Sequence, residues 1–478
     1  MSVRHVDFGS AQFFKTEGVV PAVILREVVL YGQIYGLSTW NPMHQTLFAS
    51  VPSSPLASEG RPDVLLLTDA LRDTHLTGIG RYVLELARGL QTRSDLGSVR
   101  FFAGRSWVAD PCGPFDRKKT ITADAGSSTV TSLRRALPCR CLQDRISFGL
   151  KKISFWTKTR STATPVLHGP NYLLLPYAGP SVVTIHDLSF LHFPAYHPRE
   201  RLMLLDRELP KTLRQADHIL TDSEFVRQEI LQILGAAAHR VSVTPLGVDP
   251  AFQPMPMQRT RPILQDLHLE HGRYLLCVAT REPRKNLARL LMAFAGLPTG
   301  IKTFFPLVLA GSGGWLTEDL ERLMHPLETA GAVRRLGYVP ERSLPALVAG
   351  AAGLAMPSFY EGFGLPVLEA MACGVPVLTA NRASLPEVAG DAALLVDPEN
   401  EQAIQEGLEK LLTDEPFRQT ARERGLKQAA RFTWAECVAK TVQVYHQVIG
   451  NSADPQVHDC SSALHDTPGQ LKHKTIQP

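Results

Sequence analysis

The chain has 478 residues, 44% of them hydrophobic and 20% charged, enough for two domains that each bury a core. A net charge of +4 is too small to argue for a nucleic-acid partner, and seven cysteines without a C-x-x-C spacing suggest neither a disulfide framework nor a zinc site. No apolar run approaches the roughly 18 residues of a spanning helix, so the expected location is the cytoplasm, with reduced thiols.

Residues 1–60 contain the apolar run Val19 to Leu25, interrupted by Arg26 and Glu27. That run is too short and poorly flanked for a signal peptide, and 1–60 reads as an N-terminal extension without an assigned role. A first α/β domain is predicted over 61–250. It opens with a buried strand at 63–68. Thr77-Gly78-Ile79-Gly80 then leads into an amphipathic helix over 83–90, and 99–103 is the next strand. Gly78 and Gly80 are candidates for lining a cleft. They do not complete a dinucleotide fingerprint, because Val83 stands where its third glycine would be.

Between 134 and 160, Arg134, Arg135, Arg140, Arg145, Lys151, Lys152, Lys158 and Arg160 are opposed only by Asp144. Phe148, Leu150, Ile153, Phe155 and Trp156 are interspersed. Two readings stay open: an ordinary solvated face, or peripheral contact with an anionic membrane surface where lipid-linked acceptors reside. No nucleic-acid recognition motif accompanies the charge. Strands at 165–167, 181–185, 218–221 and 241–244, with helices at 199–215 and 223–234, give the alternation of a parallel sheet covered by helices. His186 ends one of these strands and precedes Asp187.

Pro254, Pro256 and Pro262 mark the join to a second domain over 251–449. Its strands are predicted at 274–278, 307–310, 335–339, 353–356, 375–379 and 393–396, with a last helix over 434–449. Residues 450–478 are polar, aperiodic and read as a disordered tail. Ligands of open α/β sheets sit at the carboxyl ends of the strands, so the cleft between the domains is the expected site. Lys285 follows strand 274–278 in a loop with Arg284 and Asn286, where a cation can neutralise a diphosphate leaving group. Gly311-Ser312-Gly313-Gly314 reads as a tight turn near the donor.

The most informative stretch is Pro357-Ser358-Phe359-Tyr360-Glu361-Gly362-Phe363-Gly364-Leu365-Pro366-Val367-Leu368-Glu369. It links a short apolar strand to a helix through glycines, with proline in the first helical turn. Backbone N–H groups at such a helix start cradle an anion. Glu361 lies beside that anion, and Glu369 projects from the helix further on. A phosphate cradle flanked by two carboxylates suits a sugar nucleotide, whose hydroxyls the carboxylates accept.

This stretch resembles the E-x7-E motif of retaining glycosyltransferases of the GT-B type, family 4. The resemblance continues through Ala372-Cys373-Gly374-Val375-Pro376-Val377, Ser384 to Ala393 and Val396-Asp397-Pro398. Upstream it includes Glu282 to Leu287, Gly169-Pro170-Asn171, His186 to Phe190 and Pro245 to Asp249. It spans roughly 62–449 and is strongest for mannosyltransferase-like members that build bacterial polysaccharides. It implies two Rossmann-like domains, the second holding the nucleotide sugar and the first the acceptor, with the last helix crossing back onto the first domain.

By the same resemblance Lys285 meets the diphosphate. Arg284 is a candidate substitute for an arginine many members carry where Thr280 stands. The amides of Phe363, Gly364 and Leu365 hold the diphosphate, Glu361 the hexose and Glu369 the ribose. His186 orients or hydrogen-bonds near the reacting sugar, and Gly78, Gly80 and Asn171 line the cleft. The implied reaction moves a hexose, GDP-mannose being the first donor considered and UDP-glucose the next, to a glycan or lipid-linked acceptor with retention. It needs no cofactor and no metal, and no Asp-x-Asp pair is positioned for one. Two rivals remain: a non-catalytic sugar-nucleotide-binding protein, and a nucleotide-sugar epimerase of similar fold.

Overall fold

The computed structural model describes residues 61–72, 76–116, 140–160, 164–311 and 318–452. The extension 1–60, Arg134 and Arg135, the turn residues 312–314 and most of the expected tail lie outside them.

The first sheet contains β1 (Val64–Leu67), β2 (Val99–Ala103), β3 (Ser106–Val108), β4 (Val166–Gly169), β5 (Ser181–Thr184), β6 (His218–Thr221) and β7 (Val241–Val243). Its order is β3-β2-β1-β4-β5-β6-β7, parallel except for the β2–β3 hairpin. The principal helices around it are α1 (Gly78–Gln91), α2 (Arg140–Thr159), α3 (Arg199–Gln215) and α4 (Glu224–Ile233). The second sheet contains β8 (Leu275–Val278), β9 (Leu307–Ala310), β10 (Val333–Gly337), β11 (Gly353–Met356), β12 (Val377–Ala380) and β13 (Leu394–Val396), ordered β10-β9-β8-β11-β12-β13 and wholly parallel. Its helices include α5 (Leu287–Ala295) and α6 (Leu365–Ala372), and the last helix is α7 (Trp434–Ser452).

Most of these strands are four-residue runs buried along their whole length, such as VLLL in β1 and GLAM in β11. Helices on both faces leave no solvent side, hence no polar alternation. Strand order reverses between β1 and β4 in one sheet and between β8 and β11 in the other, and each reversal opens a crevice at the strands' carboxyl ends.

Several details differ from the sequence-based expectation. Helix α1 begins at Gly78, not Val83, because Thr77 Oγ1 accepts the Gly80 N–H and caps the first turn. Pro262 does not break the chain: Met257–Asp266 is a helix carrying it inside. Strand β10 starts two residues earlier than expected. Helix α7 runs on to Ser452, so 450–452 belong to it and not to the tail.

Helix α7 crosses back onto the first domain. A Cβ on Gly89 of α1 would stand 2.5 Å from Val438 Cγ2, so only glycine permits this helix contact. Tyr445 of α7 reaches the first sheet, its hydroxyl 2.6 Å from His168 Nδ1. His168 Nε2 is 2.8 Å from Thr184 Oγ1, which lies 2.9 Å from the Tyr82 hydroxyl. Burial pushes His168 down to about 3, so this chain runs through a neutral imidazole. The two passages between domains also touch: Val248 N–H donates to Phe432 O at 3.2 Å, and a Cβ on Gly247 would lie 2.0 Å from Trp434 N.

Candidate active site

The carboxyl ends of β8 and β11, neighbours across the second sheet's reversal, bring Lys285 and Glu361 together. After β8 the chain makes a 3-10 turn at Pro283–Lys285, and Asn286 follows in a left-handed conformation with φ of 58°. Its buried Nδ2 donates to the carbonyls of Pro357 (3.0 Å) and Pro398 (2.7 Å). Phe359 N–H donates to Arg284 O at 2.9 Å. The lysine loop is therefore stitched to the glutamate loop by the protein itself.

On this frame Lys285 Nζ lies 2.7 and 2.9 Å from the two oxygens of Glu361, and Arg284 Nη1 lies 2.9 Å from Oε2. Glu361 is only 6% exposed. Burial favours its neutral form, but Lys285 and Arg284 prevail and hold the carboxyl below its ordinary range. Arg284 also donates from Nε to Glu282 at 2.8 Å and from Nη1 to Tyr360 O at 3.2 Å. Its Nε and Nη1 brace the two loops.

Arg281, which the sequence reading passed over, stands nearer an open space. Its buried Nε has no partner among the described residues. It lines a cavity with Cys277, Ala279, Gly311 and Gly337 at the carboxyl ends of β8, β9 and β10. The available signal was its place one residue after Thr280, in the same loop as Lys285.

Helix α6 starts on the other side of Glu361. Gly364 has φ of 113°, a left-handed conformation that favours glycine, and a Cβ there would meet Leu385 Cδ2 at 2.9 Å. Among the described residues the N–H groups of Phe363, Gly364 and Leu365 have no protein acceptor. They form the anion-binding end of a helix. Ser384 Oγ, 2.8 and 2.9 Å from the carbonyls of Glu361 and Phe363, holds the turn from behind.

Glu369 is buried on the same helix, and no hydrogen bond to its carboxyl is found among the described residues. Burial pushes it up to about 8; Asp249 adds to the rise and Arg81 opposes it. Arg81, from the first turn of α1, donates to Asp249 at 2.8 Å and pairs with Glu341, so both domains converge here. Gly78 faces this region: a Cβ on it would be 3.7 Å from Leu365 Cδ1 across the cleft. Gly80 instead packs inside its own domain, against Leu76.

The first domain's edge is already hydrogen-bonded. His186 is buried, with Nδ1 2.7 Å from Asp222 Oδ2 and Nε2 2.9 Å from Pro170 O. A carbonyl only accepts, so Nε2 carries a hydrogen. Burial disfavours the charged ring, but Asp222 and the Pro170 carbonyl raise its pKa, favouring an imidazolium. In this arrangement neither nitrogen faces the cleft. Tyr172 is a non-glycine residue at φ of 62°, donating from its hydroxyl to Asp187 at 2.8 Å, with Arg201 over its ring at 5.6 Å. Asn171 is exposed beside it.

Helix α2 carries the described part of the basic segment: Lys151 and Lys152 are half-buried and paired, whereas Arg145, Lys158 and Arg160 are exposed. Phe155 is fully buried, Lys151 pairs with Asp69 at 2.6 Å, and Lys152 pairs with Glu208 at 2.7 Å. Lys158 donates to Arg105 O at 2.8 Å. Phe155, Lys151 and Lys152 serve the first domain's own packing. Among the described residues no helix is long and apolar enough to cross a membrane.

Two parallel-sheet domains facing across a cleft, with a cation loop and a glycine-started helix opposed at one reversal point, define a glycosyltransferase of the GT-B class. Residues 263–428 match the model "Glycosyl transferases group 1" and residues 152–252 match "Glycosyltransferase Family 4". The chain is 38% identical over 370 residues to O-antigen chain mannosyltransferase B of Escherichia coli, covering 77% of this chain and 96% of that protein. It is 32% identical over 253 residues to the serotype-specific mannosyltransferase WbdA of Escherichia coli, covering 52% of this chain and 31% of that one. The sucrose-phosphate synthase from Thermosynechococcus elongatus shares the fold, with a TM-score of 0.62 at 20% identity over 82% of this chain and all of that one. The protein belongs to glycosyltransferase family 4.

Proposed function

We propose that the protein transfers mannose from GDP-mannose to a hydroxyl of a growing or lipid-linked polysaccharide, retaining the anomeric configuration and requiring no metal. The observation that carries this reading is Lys285, fixed by Glu361, opposite three unpaired N–H groups at the start of α6. That is the arrangement a departing nucleoside diphosphate needs. The mannosyl donor is supported by the mannosyltransferase of which 96% matches this chain.

In the reaction the bond between the sugar's anomeric carbon and the diphosphate oxygen breaks, and the electron pair leaves with the diphosphate. Lys285, Arg281 and the 363–365 amides take up that charge. The acceptor oxygen bonds to the anomeric carbon on the face just vacated, and its proton passes to the departing phosphate. Glu369 accepts the ribose hydroxyls, and Glu361 holds Lys285 while facing the hexose.

The test is nucleoside diphosphate release from a panel of sugar nucleotides, with and without membrane extract as acceptor. GDP release from GDP-mannose, lost in Lys285→Ala, is the expected result. Release of UDP from UDP-glucose instead reassigns the donor. Tight donor binding with no release under any condition overturns transfer in favour of a binding protein.

A further inference from the structure

Tyr360 immediately precedes Glu361 in the second domain, yet its side chain is seated in the first. It is 4% exposed. Its hydroxyl donates to Glu229 of α4 (2.5 Å) and accepts the Leu188 N–H (2.9 Å), so both halves of its hydrogen-bonding capacity are met across the cleft. The other Glu229 oxygen lies 2.6 Å from His192 Nε2. The ring is packed among His192, Phe193 and Phe225, at centroid distances of 5.3, 5.9 and 6.0 Å. On the far side of Glu361, Gly362 presses against the same first-domain segment. A Cβ on it would stand 2.0 Å from His186 O, and Gly362 O accepts from Ser223 Oγ at 2.8 Å.

Glu361 is thus bracketed by two neighbours that both rest on the first domain at 186–188. The Tyr360 carbonyl also accepts from Arg284 Nη1, which binds Glu361. Seating Tyr360 therefore fixes both the backbone of the glutamate and its arginine brace relative to the domain that faces the acceptor. We infer that Tyr360 is a positioning residue for transfer. Docked on Glu229 and Leu188, it brings the donor-side carboxylate into register with the first domain, and released, it leaves donor binding intact but transfer impaired. This rests on the transfer reading given above. A hydrogen bond to a charged acceptor is strong enough to shift such a docked equilibrium by about 10- to 100-fold.

Tyr360→Phe keeps the ring and its packing, so folding is preserved while the hydroxyl is lost. The expected result is a fall in kcat of about 10-fold or more, with donor affinity by calorimetry within about twofold of the parent. Glu229→Ala should give the same fall, the double variant no further fall, and Glu229→Gln, which can still accept, partial recovery. Small-angle scattering of the ligand-free variants should show a larger radius of gyration. Parental kcat in Tyr360→Phe, or losses that multiply in the double variant, would overturn the assignment. If the parent protein turns over no sugar nucleotide, the transfer reading fails, and scattering still decides this one: an unchanged radius in both Tyr360→Phe and Glu229→Ala overturns it.

Discussion

The two glutamates of the 361–369 segment sit seven residues apart and are both buried, yet they are in opposite states. Glu361 meets two cations within 3 Å and is held ionised. Glu369 feels the charges of Arg81 and Asp249, which oppose each other, has no hydrogen-bonding partner for its carboxyl among the described residues, and is lifted by burial to about 8. Burial taxes the charge of both; only Glu361 has cations close enough to overcome it. One carboxylate is therefore part of the protein's own frame, and the other, buried without a hydrogen-bonding partner among the described residues, is the one proposed to take the ribose.

The largest effect should come from removing the one in the frame. Glu361→Ala leaves Lys285 and Arg284 buried beside an empty position. Removing one partner of a buried charge cluster costs about 3–5 kcal/mol. Denaturant unfolding should show that loss together with near-abolished transfer. From sequence alone both Glu361 and Lys285 look like cleft-loop residues whose removal spares the fold, and the burial of their contact argues otherwise. Glu361→Gln, which keeps the shape, should be milder in stability and equally poor in transfer. If Glu361→Ala unfolds like the parent protein, the cations are not held by this carboxylate.

Gly362→Ala should come next. The added Cβ would fall 2.0 Å from a backbone carbonyl, which cannot step aside as a flexible side chain can. The domains must separate slightly around Glu361 while α6 and its amides keep their shape. The expected outcome is transfer reduced at least tenfold, with donor binding by calorimetry nearly unchanged. A parallel loss of donor affinity would place the disturbance in the second domain and break the distinction.

Much of this arrangement was legible in the sequence. The spans of β2, β6, β9 and β11 and of α3 follow directly from apolar runs and helical periodicity. That the loops of Lys285 and Glu361 share one cleft was expected because each follows a strand, and ligand loops gather at the carboxyl ends of parallel strands. Their pairing with each other was not, since the sequence assigned the lysine to the diphosphate and the glutamate to the hexose. What no local pattern carries is the choice of partner. That Arg284 turns to Glu361 and Glu282, that Tyr360 crosses to Glu229, and that His186 spends both nitrogens within its own domain are consequences of long-range packing. Helix α2 was missed as a helix because its residues were weighed as a charged surface, solvated or membrane-facing, whereas Phe155 is claimed by the core beneath it. The hairpin strand β3 is three residues at an exposed edge, with too little burial to leave a pattern.

The smallest effect tests the receptor side, and its sign distinguishes the two glutamates. With its pKa near 8 in the folded protein and about 4.3 when unfolded, Glu369 keeps its proton over a range where the unfolded chain has released it. Stability is then greatest below the unfolded value and falls as pH rises toward 8, where the slope vanishes. Glu369→Gln cannot ionise, so its melting temperature relative to the parent should climb between pH 5 and 8 and level off above. The Glu361 carboxylate, with its depressed pKa, predicts the reverse: stability lost as pH falls through its folded value. Donor binding adds a second reading. A ribose that is best held by the ionised Glu369 should drive off a proton at pH 7, visible as a calorimetric enthalpy that varies with the buffer and ceases to vary in Glu369→Gln. Hydrogen bonds to a charged group set the accompanying loss of donor affinity at roughly tenfold or somewhat more. If the buffer dependence persists in Glu369→Gln, the proton comes from another group and Glu369 is not the ribose receptor.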